Sequence, residues 1–308
     1  MTNRMLEEID DIAPKAEHFL ATSPAYALPL HVPYLGMGSS YFAPLAFKYM
    51  GVPIQPEIAS EYVNYLVPMA LGENAVILSQ SGRSTEALWA RRLFKQYVAI
   101  TNKPQSALGS NPKALLTVDL LAEDEQYSSS KTYVNTLLAL FKGFGIDPAP
   151  ALQVLRRNVP AYRRTGERIA DAIFELINTR KIHGIYVVAS GPNVATAYQA
   201  ALILSESTKL SFTGMPMAQY DHGPKETAAD SIVIQILARG ASYERGQKLG
   251  ETISRAGAHV FTIEEPEVSE HFSVLTNIVP FNYIAYELAE KLGIKETFVV
   301  GGKVTEVE

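Results

Sequence analysis

The feature that most constrains this chain is a recurring phrase: a short apolar run, a loop of Gly, Ser and Asn, then a segment with helical periodicity. It first occurs at 32–35, which runs into Gly36, Met37, Gly38, Ser39 and Ser40 and then an apolar-periodic segment at 41–49. It returns at 75–78, followed by Ser79, Gln80, Ser81, Gly82, Arg83, Ser84 and Thr85, a helical stretch at 86–97 and a strand at 98–101. The second half repeats the syntax. An apolar run at 185–189 leads to Ser190, Gly191, Pro192 and Asn193 and an Ala-rich helix at 194–210. Another run at 232–237 leads to Arg239, Gly240, Ala241 and Ser242, a helix at 244–255 and a strand at 260–263.

Strands alternating with helices across short glycine loops predict right-handed βαβ units, and so an α/β chain of mainly parallel sheets flanked by helices. The matching order in the two halves predicts a tandem duplication. The Gly-Ile-Asp-Pro-Ala-Pro stretch at 145–150 breaks the pattern. It divides the chain into domains at 1–150 and 151–308, with a docking helix at 5–21 ahead of the first and a linking helix at 151–180 opening the second. In such sheets ligands sit beyond the carboxyl ends of the strands, which is where all these loops fall.

Composition narrows the chemistry. With 308 residues, 47% hydrophobic and 19% charged, the chain has ample apolar surface for a core and is too apolar to be disordered. It has no cysteine, which excludes disulfides, thiolate metal sites and cysteine nucleophiles. Lys plus Arg number 27 against 32 Asp plus Glu, a net charge of −5, with no basic run, so nucleic acid is not the expected partner. The N-terminus carries Glu7, Glu8, Asp10 and Asp11 in place of a basic and then apolar leader, and no apolar run reaches membrane-span length. No membrane partner and a cytoplasmic location are expected. The histidines show no ligand spacing, position 41 is Tyr and not the third glycine of a dinucleotide fingerprint, and no phosphate-loop lysine is present, so neither a metal nor a cofactor is expected.

The hydroxyls Ser39, Ser40, Ser79, Ser81, Ser84 and Thr85 are concentrated just ahead of predicted helix starts. Serine there also caps helices, so one such loop alone leaves capping and anion binding equally open. Two in successive βα units point to a phosphate, held by hydroxyls and free backbone N–H groups. A chain of net charge −5 offers an anion no long-range attraction, so attraction must come from the loop itself. Glu206 stands on the Ala-rich helix with Gln199 and Ile203 on the same face, a setting expected to desolvate its carboxyl and suit it to proton transfer, unless it simply ends the helix in solvent beside Lys209. His222 sits in an Asp-His-Gly-Pro-Lys turn, where it is either solvated or a proton carrier near neutral pH.

These residues together resemble a known family. Gly38-Ser39-Ser40-Tyr41, Glu57-Ile58-Ala59-Ser60-Glu61, Ser79-Gln80-Ser81-Gly82, Ser129-Ser130-Lys131-Thr132, the interval from Glu206 to His222-Gly223-Pro224, and the closing Lys303-Val304-Thr305-Glu306-Val307-Glu308 occur in the order found in the sugar isomerase (SIS) domain proteins. Within them the chain is most similar to the isomerase half of glucosamine-6-phosphate synthase and to stand-alone glucosamine-6-phosphate deaminase. The resemblance implies two tandem SIS subdomains followed by a C-terminal tail that enters the active site. It implies that Ser39, Ser40, Ser79, Gln80, Ser81 and Ser84 bind phosphate and sugar hydroxyls, and that Glu206 moves a proton between C1 and C2. It further implies that His222 opens the sugar ring from the neighbouring subunit of a homodimer, and that Lys303 contacts the open-chain sugar or forms an imine with it.

The departures from the family matter too. Ile203 stands where the synthase has a lysine and Gln199 where it has a glutamate, and Arg83 replaces the usual acid after Ser-Gln-Ser-Gly. These 308 residues also hold no cysteine for a glutaminase domain. The expected activity is therefore conversion of glucosamine 6-phosphate to fructose 6-phosphate and ammonia. The alternatives are a fructosamine-6-phosphate deglycase, a plain phosphosugar isomerase, and a non-catalytic phosphosugar-binding regulator.

Overall fold

The computed structural model describes residues 3–66 and 71–306, so Val307 and Glu308 of the closing motif lie outside the described residues. The chain divides into two units. Contiguous halves split near 150 would keep each terminus with its own half. Instead residues 3–10 belong with 149–298, and 299–306 belong with 11–148.

The N-terminal segment is not one helix. It forms α1 (Asn3–Asp10) and α2 (Ile12–Thr22), broken at Asp11. Pro14 explains the break: it has no N–H to give Asp10, and its ring would clash with that carbonyl in a continuous helix, whereas it is tolerated in the first turn of α2.

In the first unit, β1 (Pro33–Gly36), α3 (Ser39–Tyr49), β2 (Gln55–Ile58), α4 (Ala59–Tyr65), β3 (Gly72–Leu78), α5 (Thr85–Ala90), β4 (Phe94–Thr101), β5 (Ala114–Asp119) and α6 (Lys131–Gly143) follow α2. The five strands are all parallel in the order β2-β1-β3-β4-β5. The helix expected at 86–97 stops after α5, passes through a 3-10 turn at Arg91–Leu93, and gives way to a strand four residues earlier than expected. Phe94 and Tyr97 are the cause, since both are nearly fully buried and pack under the sheet, where aromatic residues favour strand over helix. Phe94 stacks on Tyr62 of α4 with ring centroids 6.0 Å apart. The opposite face is closed by α3 and α6, where Phe47 meets Phe141 edge-on at 4.7 Å.

The second unit continues with α7 (Ala149–Thr179), β6 (Ile185–Ala189), α8 (Asn193–Thr208), β7 (Phe212–Pro216), α9 (Met217–Asp221), β8 (Ile232–Leu237), α10 (Tyr243–Arg255), β9 (His259–Glu264) and α11 (Val279–Lys291). Its four strands are parallel in the order β7-β6-β8-β9. All six residues of β8 are buried, as a parallel strand covered on both faces requires; five are aliphatic, and the sixth, Gln235, is satisfied by donating to the Gly246 carbonyl at 2.9 Å. α1 belongs here because Asp10 accepts a 2.8 Å hydrogen bond from the Tyr283 hydroxyl of α11.

The two sheets share a logic: β1, β2, β3 and β4 have the sheet positions of β6, β7, β8 and β9. In each, the strand order reverses direction between the two central strands, β1 and β3 or β6 and β8. The crevice beyond their carboxyl ends is the ligand position that this topology provides. Among the described residues, no helix is long and apolar enough to cross a membrane.

Candidate active site

β1 and β3 run side by side, Leu35 opposite Ile77, so the loops at 36–40 and 79–84 leave the sheet from adjacent strand ends. The second loop is shaped by its own hydroxyls. Ser79 is buried; its Oγ accepts the Gly82 N–H at 3.1 Å and donates to Ser84 Oγ at 3.2 Å. Ser81 Oγ accepts the Arg83 N–H at 3.2 Å. The carbonyl of Gln80 is tied to β4 by the Asn102 N–H at 3.0 Å and by Thr101 Oγ1 at 3.3 Å. Gly82 has φ +63°, and a Cβ there would lie 1.8 Å from Ser106 Oγ, so only glycine fits. The N–H groups of Gln80 and Ser81 have no acceptor among the described residues and remain available to an anion.

Beside this loop is a cavity of about 540 Å³ lined by Gln80, Ser81, Arg83, Lys103, Gln105, Ser106, Glu125 and Lys303. Of the residues expected from sequence, Gln80, Ser81 and Lys303 line it together. Ser79 and Ser84 stand behind the loop as its frame, while Ser39 and Ser40 open α3 on the neighbouring loop and are not part of the lining.

Lys303 arrives on the tail. The Thr85 N–H donates to the Thr305 carbonyl at 3.2 Å, Arg83 lies 3.5 Å from Glu306, and Lys303 Nζ donates to the carbonyl and carboxylate of Glu125 at 2.8 and 3.1 Å. Glu125 is the residue that sequence reasoning missed. Its carboxylate accepts the N–H groups of Ser130 and Thr132 at 2.9 and 3.1 Å, Ser130 Oγ at 3.1 Å, and Thr132 Oγ1. Burial opposes its charge, but the Lys303 ammonium and these hydrogen bonds prevail and hold its carboxyl below the usual range. The available signal was an acid shortly ahead of a Ser/Thr-rich helix start; its lysine partner lies 178 residues away.

The other two expected residues lie in the second unit. Glu206 is half-buried near the end of α8, where Lys209 Nζ donates to its carbonyl at 2.6 Å. Burial pulls the Lys209 ammonium below its ordinary value, against the charges of Glu206 and Glu296. Gln199 and Ile203, on the same helix, are fully buried. His222 is exposed at the end of α9. Its turn is braced by Asp221, whose carboxylate takes Lys225 and Arg245 at 3.0 Å each and is held below the usual range by those two hydrogen bonds. Among the described residues, no group of three His, Asp or Glu is arranged to hold a metal ion.

The arrangement of the fold is found in solved structures. The chain superposes on glucosamine-6-phosphate deaminase from Thermotoga maritima with a TM-score of 0.75 at 19% identity, covering 94% of this chain and 95% of that one. It matches the C-terminal domain of glucosamine-fructose-6-phosphate aminotransferase from Francisella tularensis with a TM-score of 0.76 at 18% identity, covering 94% and 96%.

The fold is the tandem sugar-isomerase fold.

Curated relatives of the chain are the isomerizing glutamine–fructose-6-phosphate aminotransferases of Methanothermobacter thermautotrophicus, 24% identical over 288 residues, and of Pyrococcus horikoshii, 27% identical over 291. The matches cover 85% and 82% of this chain but 49% and 48% of those proteins, so the chain spans about half the length of the relatives it matches. No family model matches it.

Proposed function

We propose that this protein is a phosphosugar aldose–ketose isomerase of the deaminating kind, converting glucosamine 6-phosphate and water to fructose 6-phosphate and ammonia. The observation that carries the reading is the cavity in which the tail lysine, Lys303, lies beside the Gln80–Ser81 loop with its free N–H groups. The 6-phosphate is bound by that loop's N–H groups and the Ser81 hydroxyl, with Ser39 and Ser40 contributing from the neighbouring loop and Ser79 and Ser84 holding the loop's shape.

In this reading His222 transfers a proton to the ring oxygen as the hemiacetal opens. Glu206 then takes the proton from C2 of the open-chain aldehyde and returns one to C1, while the carbonyl oxygen gains a proton and the C2 amino group loses one, which turns the 2-amino aldose into the 2-imine of the ketose. Water adds at C2 and ammonia leaves. His222 is taken to come from the second subunit of a homodimer, as in the family it resembles. The cations Arg83 and Lys103 in the same cavity favour a second reading, a fructosamine-6-phosphate deglycase, whose substrate carries an additional carboxylate.

The test is ammonia release from purified protein with glucosamine 6-phosphate, run beside a fructosyl-amino-acid 6-phosphate, fructose 6-phosphate and glucose 6-phosphate. Ammonia and fructose 6-phosphate from the first substrate support the deaminase, and turnover of the fructosyl-amino acid alone would replace it with the deglycase. Interconversion of the plain sugars would make it an isomerase, and binding without turnover a regulator. Glu206→Gln is expected to retain phosphosugar binding while turnover falls by about two to four orders of magnitude. Equal loss of both would remove Glu206 from the proton-transfer role.

A further inference from the structure

The Glu125–Lys303 pair restricts what the tail lysine can do. The Glu125 side chain has no solvent exposure, and that of Lys303 is 18% exposed. Four donors from Ser130 and Thr132 surround the carboxylate, yet Lys303 is its sole cationic partner among the described residues. Lys303 in turn spends two of its three N–H donors on Glu125, one on the carbonyl and one on Oε2, leaving one for the cavity that both residues line.

Imine formation would undo this arrangement. The ammonium must first lose a proton to become a nucleophile; passed to solvent, that proton leaves a buried carboxylate with no counter-charge, and the alternative acceptor, Glu125 itself, is hydrogen-bonded by four donors that favour its charged form. The protonated imine that follows, with loss of water, carries a single N–H, so at least one of the two bonds to Glu125 is broken. A hydrogen bond from the third N–H to the sugar carbonyl oxygen breaks neither.

We propose that Glu125 is the positioning residue for Lys303, and that the pair presents Lys303 to the substrate carbonyl as a fixed cationic hydrogen-bond donor and not as an imine-forming amine. This rests on the phosphosugar reading for the identity of the substrate, but the seating of the tail does not.

Two measurements on the full chain test it. Trypsin must engage the Lys303 side chain itself, so release of the peptide beginning at Val304 reports the seat directly. Glu125→Gln is expected to speed that cleavage by about tenfold or more, as loss of a buried partner allows. Glu125→Asp should partly restore protection, with cleavage after Lys225 and Lys295 serving as the internal control for general unfolding. Unchanged cleavage after Lys303 in a folded Glu125→Gln would overturn the positioning role. Should that variant not fold, Thr132→Val, which removes one hydroxyl donor to the carboxylate, gives the same readout.

The second measurement is borohydride reduction during turnover, with mass analysis of the Lys303 peptide. No hexose-phosphate adduct is expected. Lys303→Arg, which donates but forms no imine, should keep about a tenth of turnover, while Lys303→Ala should lose about 100-fold or more. A reduced adduct on Lys303, or an arginine variant as inactive as alanine, would overturn the donor role. A wild type that turned over no phosphosugar would overturn the functional reading, leaving trypsin to decide the seat.

Discussion

The two sheets present the same crevice and treat it in opposite ways. Between the ends of β1 and β3 the loops carry Ser and Gln side chains, two N–H groups without acceptors among the described residues, and a cavity that the tail lysine enters. Between the ends of β6 and β8 the chain supplies its own anion. The carboxylate of Glu270 lies against both loop glycines: a Cβ on Gly191 would be 3.0 Å from Oε1, and one on Gly240 only 2.0 Å from Oε2. The segment bearing Glu270 is anchored underneath, where Asn193 Nδ2 donates to Ser273 Oγ at 2.7 Å and Ser273 Oγ donates to the Glu270 carbonyl at 2.8 Å. The polar residue at the head of α8 is thus consumed by structure. Topology creates a crevice in each unit, and the side chains that reach it decide whether it stays open.

Paired glycine substitutions would break this contrast most sharply. Gly82→Ala places a Cβ at φ +63° against Ser106 and Thr101, so the loop must move. The backbone strain is about 1–2 kcal/mol, and a displacement of the phosphate loop by about 1 Å should cost roughly 100-fold in kcat/KM. Gly240→Ala in the other crevice meets only the far end of the Glu270 side chain, which can swing away. It should lower stability by about 1 kcal/mol and leave phosphosugar affinity unchanged. Comparable losses of affinity in both variants would mean that the second crevice also serves the substrate.

The sequence expressed the sheets better than the site. The central strands β1, β3, β6 and β8 are readable because burial on both faces favours mainly apolar runs, with Gln235 the polar exception in β8, and their glycine loops follow from the turns they must make. The edge strand β2, Gln-Pro-Glu-Ile, has no such signature, because its identity comes from pairing with β1. Lys303, Gln80 and Ser81, expected through their motifs, line one cavity. Ser79, expected among the ligand contacts, donates to Ser84 and accepts the Gly82 N–H. Glu125 was not recognisable, because its importance depends on a lysine that reaches it only after the whole first unit and the return of the tail. The Glu270 plug was hidden for the same reason: an exposed-looking acid in a polar stretch acquires meaning only from two glycines 79 and 30 residues away in sequence.

Acid should dissolve the tail seat of the first crevice. The Glu125 carboxyl is held below its unfolded value, so its pairing contributes stability above the ordinary carboxyl range, and that contribution is lost as pH falls through the lowered value. The stability difference between wild type and Glu125→Gln should therefore be largest near neutral pH and shrink below about pH 4. Thermal denaturation of both proteins from pH 7 to pH 3 reads it, and a difference that stayed constant or grew in acid would show that the carboxylate is not the stabilising form.

The smallest expected effect belongs to Glu270→Gln. The amide keeps the shape that fills the crevice and removes only the charge, which lies beside Gly240, three residues ahead of α10, a helix of 13 residues. A negative charge at that position is worth about 0.3–1 kcal/mol and is screened by salt. The variant should therefore lose that much stability at low ionic strength and less at high, with turnover unchanged. The same substitution leaves the steric plug in place, so the charge and the filling can be told apart by adding Glu270→Ala, which removes both. If the alanine variant alone bound a second equivalent of inorganic phosphate, the filling closes the crevice. If the glutamine variant bound one too, the carboxylate's charge is what keeps anions out.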